Sequence, residues 1–331
     1  MKIVFDQHIP FLLETIQREW PEVQIFPMKP EKIDASTVRD ADILIVRTRT
    51  KVNELLLKGS NVQLVCTATI GYDHIDTAYC ESHGIRWMSC PGCNAQAVCD
   101  YIEEAIDEYV QAFTPALPQT IGVVGVGHVG SKVAAMAERK GMRVLLNDPP
   151  KGIGVSLDKI GRNSDIITFH VPLISSPLHG GIEGGSTYHL CDEAFLEKCK
   201  TGALIINAAR GGVVDEEALL RSGHPFIIDT WEGEPDINPA VLNGAFRASM
   251  HIAGYSVEGK RNASQMCLNA IAEQFSLPKI NLSAYPYLGP SAAPKNGEPW
   301  LDAISRSLKA QPENFETLRK DDPLREGEFC A

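Results

Sequence analysis

Along residues 1–93, short apolar runs alternate with helix-like segments. Lys2–Phe5, Val23–Phe26, Asp42–Val46, Val62–Thr67 and Ile85–Met88 have the length and composition of buried strands, and Phe11–Trp20 and Val52–Lys58 those of helices. This alternation predicts an α/β lobe with a parallel, doubly wound sheet, helices on both faces and ligands beyond the C-terminal strand ends. Two of those ends are polar: Arg47-Thr-Arg-Thr-Lys51 and Thr67-Ala-Thr-Ile-Gly-Tyr72. From Asn94 to Phe113, Val98, Ile102, Ala105, Ile106, Tyr109 and Phe113 fall on one helical face with acids on the others. One long helix is expected there, closed by Pro115 and Pro118 and bridging two domains.

A second lobe begins at once. Thr120-Ile-Gly-Val-Val-Gly-Val-Gly-His-Val-Gly130 reads as a strand turning into a helix, and Met142–Leu146 as the next strand. Gly125, Gly127 and Gly130 have the G-x-G-x-x-G spacing: one glycine for the sharp turn, one for backbone approach to a pyrophosphate, one for close helix packing. Asp148, eighteen residues after Gly130, ends that second strand, where a carboxylate receives ribose hydroxyls and repels a 2′-phosphate. The cofactor expected is NAD rather than NADP; the plainer reading of Asp148 is a turn residue before Pro149-Pro150. Strands over Asp165–Phe169, Ala203–Asn207 and Pro225–Asp229, and helices over Asp192–Cys199 and Glu216–Ser222, extend this lobe to about residue 258. Ser175–Thr187, rich in Gly and Ser, is expected to be a mobile loop.

Gly259–Phe275 is expected to be a helix returning the chain to the first lobe, so the lobes divide as 1–93 with 259–283, and 94–258. The remainder, 284–331, is a short extension broken by prolines, with one helix over Trp300–Leu308. Arg319-Lys-Asp-Asp-Pro-Leu-Arg-Glu326 mixes charges with a proline and is expected to be solvated.

Composition narrows the partners. A formal charge of −11 disfavours nucleic acid and anionic membrane surfaces, and no apolar run approaches membrane-spanning length. The N-terminus meets an acid after three apolar residues, as a strand does and a secretion signal does not. Nine scattered cysteines fit reduced thiols in the cytoplasm. Cys90-Pro-Gly-Cys93 stands before a helix, where a thiolate is favoured, but no second pair completes a zinc site, and the favoured reading is a Pro-Gly turn between strand and helix.

Three residues could carry chemistry. Arg210 follows a buried strand and precedes Gly211-Gly212, which suits a rigid guanidinium fork to a carboxylate. His251 is a proton carrier, and Glu234, in Asp229-Thr-Trp-Glu-Gly-Glu-Pro235, is a candidate to orient it. Singly, each reads as an ion-pair or packed residue. Together, at strand ends of a dinucleotide fold, they are what hydride exchange between a 2-hydroxy acid and NAD requires.

At these residues the chain resembles the D-isomer-specific 2-hydroxyacid dehydrogenases over about residues 1–280, through Gly125–Gly130, Ile206–Asp215, Asp229–Pro235 and His251. Val46–Asn53, Thr67–His74, Pro91–Asn94, Asn147–Pro150 and His251–Lys260 strengthen the likeness to members with a phosphorylated substrate. The resemblance implies a flavodoxin-like substrate lobe, a Rossmann NAD lobe, an active site in the cleft between them and a homodimer acting on a small phosphorylated hydroxy acid. It makes Arg210 and Glu234 active-site residues and His251 the proton donor. It puts Thr48, Thr69 and Tyr255 at the substrate, and assigns His128, Val129, Asp148, Val171, Ala208, Asp229 and Gly254 to NAD with the three glycines. Arg47 and Arg49 are candidates for the phosphate. Two features depart from the pattern: Val171 replaces a threonine after Phe-His, and the C-terminal region is shorter. Two other readings stay open, a glycerate- or lactate-type dehydrogenase and an NADH-sensing binding protein.

Overall fold

The structure is a computed structural model that describes residues 1–113, 118–174, 185–287, 291–292, 299–322 and 324–325. The chain forms two compact units. One is built from Met1–Asn94 and Ser256–Ser291, with Arg325; the other from Ala95–Tyr255 and Ala292–Leu324.

In the first unit, strands β1 (Lys2–Asp6), β2 (Gln24–Met28), β3 (Ile43–Val46), β4 (Leu64–Thr67) and β5 (Arg86–Met88) form a parallel sheet in the order β2-β1-β3-β4-β5, the flavodoxin-like order. Every residue of β3 and β4 is buried, which is why both read as unbroken apolar runs and not as alternating strands. The segment expected as a helix over Val52–Lys58 is a single turn, Glu54–Leu57, capped by the Asn53 side chain. The helix Val257–Phe275 belongs to this unit; its N-cap, Ser256, accepts from the backbone N–H of Gly259.

The second unit holds β6 (Thr120–Val124), β7 (Arg143–Asp148), β8 (Ile153–Gly154), β9 (Ile166–Phe169), β10 (Leu204–Asn207), β11 (Phe226–Ile228) and β12 (Arg247–Ala248). Their order, β12-β11-β10-β9-β6-β7-β8, is the Rossmann order with one strand added at an edge. β8 runs antiparallel to β7, because Pro149 and Pro150 end β7 in a tight turn that folds straight back. The pleat sends Val123, Ile166, Leu204, Ile206 and Ile227 to one core, under the helices Ala95–Phe113 and His128–Arg139. Val124, Ile167, Phe169, Ile205 and Ile228 go to the other.

The C-terminal segment corrects one expectation. Charge and proline suggested that Arg319–Glu326 is solvated, and Lys320 and Asp321 are exposed, but the stretch begins within the helix Phe315–Asp321, whose Phe315 is buried in the second unit's core with Leu318 packed against it, and Pro323 and Glu326 lie outside the described residues. Arg319 is itself three-quarters covered. Two apolar residues three apart anchor this short helix, and neighbouring charges masked them in the sequence. The preceding helix, Trp300–Ala310, buries Leu301 and Leu308, and Ser305 Oγ accepts from the Ala248 N–H at 3.0 Å. The Pro115 end of the long helix and residues 175–184 of the expected loop lie outside the described residues. Ser186 and Thr187, at that loop's end, are pinned to Ile174 and Pro172.

Cys90 is fully buried, with its thiol 3.3 Å from the Thr67 carbonyl and 3.8 Å from the Cys267 sulfur. Contact with Cys267 and burial push the Cys90 thiol far up, and burial raises Cys93 to about 12, so neither is an activated thiolate.

Glu216, at the start of the helix Glu216–Ser222, is buried and accepts the Glu232 N–H at 2.6 Å, bracing the loop that carries Glu234. Burial, helped by the Glu232 and Glu234 charges, lifts its pKa from 4.5 to about 7 against the pull of that hydrogen bond. A carboxyl whose folded pKa lies above its unfolded one binds its proton first in the folded state. It therefore favours folding at low pH and loses that contribution as pH climbs through the window from 4.5 to about 7. Glu216→Gln should flatten this fall and be more stable than the parent above that window, in urea titrations across the range. An identical pH slope in both proteins would remove Glu216 from this role.

Candidate active site

The glycine turn after β6 separates into two kinds of position. Gly125 sits at φ +91°, and a Cβ there would meet the His170 backbone and Val171 Cγ1 at 2.8 Å. A Cβ on Gly130 would lie 1.9 Å from the Gly125 carbonyl oxygen. The protein itself requires both glycines. At Gly127 a Cβ would meet nothing within 4 Å, so the chain's own packing does not demand glycine there. Gly127 is the N-cap of the helix His128–Arg139 and donates no side-chain cap, leaving that end to an anion. The loop therefore fits a dinucleotide pyrophosphate. Asp148 is mostly covered, and its Oδ2 accepts the Val126 N–H at 2.8 Å, which ties the end of β7 to the glycine turn. Ala208 packs against the core beside Val129, and Val171 against the opposite one.

Arg210 follows β10 on a turn held by the buried Asn207. Asn207 Nδ2 donates to the Arg210 carbonyl at 3.0 Å, and its Oδ1 accepts from Ala209 N–H at 3.2 Å. Gly211 follows because a Cβ would lie 2.0 Å from the Trp231 carbonyl oxygen. The guanidinium is exposed, and its Nη1 donates to the Ala209 carbonyl at 2.7 Å.

Beyond β11 and β12 stands the pair that sequence suggested. Glu234 Oε1 is 2.5 Å from His251 Nδ1, and its Oε2 accepts the Trp231 N–H at 3.2 Å. Burial raises the Glu234 pKa, but the hydrogen bonds from His251 and Trp231 and the charge of Arg319 outweigh it, leaving a net lowering. An ionised carboxylate only accepts, so Nδ1 carries the proton and Nε2 is left for the substrate. His251 has φ +58°, rare for a side chain with a Cβ. The conformation is held from below: Asp229 is buried, accepts Ser249 Oγ (2.7 Å) and Ile252 N–H (2.7 Å) through Oδ1, and Ala253 N–H (3.0 Å) through Oδ2. Asp229, read from the sequence as an NAD residue, is thus a brace for the histidine loop in this structure, with both oxygens engaged inside the protein.

In the first unit, Thr48 and Arg49 are exposed on a turn closed by Thr50 N–H to the Arg47 carbonyl at 3.2 Å. Arg47 is held apart from them: its Nε donates at 2.7 Å to Asp6 Oδ2, and Asp6, with no exposed side chain, also binds His8. The Thr69 hydroxyl lies 2.6 Å from Thr67 Oγ1 and donates to the Gly71 carbonyl at 2.9 Å, while Thr67 meets His74 Nε2 at 3.0 Å. Burial holds His74 below the ordinary histidine value, against the pull of the Asp73 charge. In the second unit Tyr255 meets Arg319, whose Nε donates to its hydroxyl at 3.1 Å. Sequence reading missed Asp6, Asn207, Glu216 and Arg319; only Asn207, inside the Asn-Ala-Ala-Arg run, carried a local signal.

Comparison with known proteins agrees with this geometry. The family model for the D-isomer specific 2-hydroxyacid dehydrogenase NAD binding domain matches residues 111–253. The chain is 43% identical to the erythronate-4-phosphate dehydrogenase of Bacteroides fragilis, over 99% of this chain and 97% of that protein. It is 40% identical to the enzyme of the same name from Bacteroides thetaiotaomicron, over 99% and 97%. The solved NAD+-bound 3-phosphoglycerate dehydrogenase of Entamoeba histolytica is 26% identical, with a TM-score of 0.62 over 85% of this chain and 98% of that one. A relative this similar over nearly its whole length, with the two-unit fold and the Glu234–His251 pair, settles the assignment: the chain belongs to the D-isomer-specific 2-hydroxyacid dehydrogenase family, and it is an NAD-dependent enzyme of that family.

Proposed function

We propose that the protein oxidises 4-phospho-D-erythronate to 2-oxo-3-hydroxy-4-phosphobutanoate with NAD, a step of pyridoxal 5′-phosphate synthesis. The observation that carries the chemistry is the His251–Glu234 contact at 2.5 Å. The names of the full-length relatives support the substrate. Bound NAD supplies the hydride acceptor. Arg210, exposed on its turn, binds the C1 carboxylate in a planar fork. His251 Nε2 takes the C2 hydroxyl proton as the C2 hydride departs, and ionised Glu234 stabilises the imidazolium. Thr48, Thr69 and Tyr255 keep their assignment to the substrate on the family resemblance, as does a cytoplasmic homodimer.

The direct test is NADH formation by the purified protein with 4-phosphoerythronate, D-glycerate and D-lactate side by side. Faster turnover of glycerate or lactate would replace this reading with the corresponding dehydrogenase, and NADH binding without turnover of any would make the protein a sensor.

His251→Ala should lower kcat by about 10²–10⁴-fold while NADH affinity persists, since proton transfer typically contributes that much. Glu234→Gln should fall between parent and His251→Ala. Near-normal turnover in the histidine variant would take His251 out of the mechanism.

Asp148→Asn keeps an oxygen for the Val126 N–H and removes the charge that would face a 2′-phosphate. The ratio of kcat/KM for NAD to that for NADP should drop in this variant. A parent already faster with NADP would end the assignment of Asp148 as the discriminator.

A further inference from the structure

A substrate with a carboxylate at one end and a phosphate at the other needs two anion seats, and Arg210 serves one. The sequence pointed to Arg47 and Arg49 for the other. In the structure Arg47 is committed to the buried Asp6 carboxylate, which balances its charge.

A different cation lies against Tyr255, four residues after the proton carrier. Arg319, from the helix Phe315–Asp321, lies over the Tyr255 ring with its guanidinium carbon 5.6 Å from the centroid, and its Nε donates to the Tyr255 hydroxyl at 3.1 Å. Tyr255 is four residues after His251, on the loop that Asp229 braces, and its own N–H is tied to the Ile252 carbonyl at 2.8 Å. The guanidinium also meets Glu316, half exposed and 3.4 Å from Nη1, an ion pair of little strength. Nη2 makes no hydrogen bond among the described residues. Arg319 also acts on the reacting pair, since its charge helps to lower the Glu234 pKa.

We propose that Arg319, oriented by the Tyr255 hydroxyl, forms the seat for the substrate's phosphate, so that the C-terminal helix supplies a specificity-determining residue. A guanidinium presents several donors in a plane and suits the oxygens of a dianion, and the hydrogen bond from Nε to the Tyr255 hydroxyl fixes that plane. The seat belongs to the loop that carries His251, so binding of the phosphate fixes C2 relative to the proton acceptor. This inference rests on the proposed 4-phosphoerythronate reading.

The experiment compares kcat/KM for 4-phosphoerythronate and unphosphorylated erythronate in the full-length parent, Arg319→Ala, Arg319→Lys and Tyr255→Phe. Arg319→Ala should lower kcat/KM for the phosphorylated substrate by about 10- to 100-fold more than for erythronate, the scale of a lost charge-assisted hydrogen bond. Arg319→Lys should recover part of that discrimination, and Tyr255→Phe should show a smaller loss in the same direction. Inorganic phosphate, used as a competitive inhibitor, should bind Arg319→Ala more weakly than the parent. Equal losses on both substrates, or no loss on either, would overturn the seat. A parent that does not discriminate in favour of 4-phosphoerythronate would instead overturn the proposed substrate, so the two failures are distinguishable. Should Arg319→Ala fail to fold, Arg319→Lys and the phosphate inhibition of Tyr255→Phe test the seat in its place: undiminished discrimination in the first and parent-like inhibition in the second would overturn it.

Discussion

The Asp229 carboxylate is the constraint on which the reacting pair depends. It lies just past β11 with no access to water and accepts three donors from the segment after β12: one hydroxyl and two backbone N–H groups. Those bonds bend the chain so that His251 occupies a left-handed conformation it would otherwise avoid. Each buried acceptor left without a donor would cost about 1–3 kcal/mol, so the alternatives to this loop shape are few. The histidine is presented to Glu234 as a consequence of a buried charge bonded to its neighbours Ser249, Ile252 and Ala253.

The same device recurs twice. Asn207, at the end of β10, holds the turn that projects Arg210, and Glu216 holds the Glu232 N–H at the base of the Glu234 loop. In each case an apolar strand or helix start delivers one buried polar side chain, and that side chain fixes a functional neighbour on a loop. Gly125 and Gly130 do equivalent work with no side chain at all, since backbone atoms fill the space where a Cβ would go.

Much of the fold was legible because burial on both faces makes a strand an apolar run, and β3, β4, β9 and β10 are of that kind. The short β8 was not, since two residues after a double proline carry no period. The helix Phe315–Asp321 was hidden by its own charges. Within the site, Arg210, Glu234 and His251 stood out as polar residues at the ends of apolar runs. Their partners did not: Asp6 is 41 positions from Arg47, and Tyr255 is 64 from Arg319. A periodic pattern reports which face of an element is buried. It holds no information about which distant side chain meets that face, and the assignment of charges to one another depends on that.

This limit explains why the sequence singles out Arg47 and passes over Arg319. In a chain of formal charge −11, a basic cluster such as Arg47-Thr-Arg-Thr-Lys51 is conspicuous, and an arginine within the mixed-charge run Arg319–Glu326 is not. What decides an arginine's capacity for a ligand is the balance left after its internal partners. A fully buried carboxylate has lost its solvation and holds its counter-ion strongly, whereas a half-exposed Glu316 stays well hydrated and competes weakly. Arg47 is therefore used by the fold, as the ion that allows Asp6 to be buried. Arg319 keeps more of its charge for whatever approaches Tyr255. Counting cations along the sequence puts Arg47 first; counting the solvation of their partners puts Arg319 first.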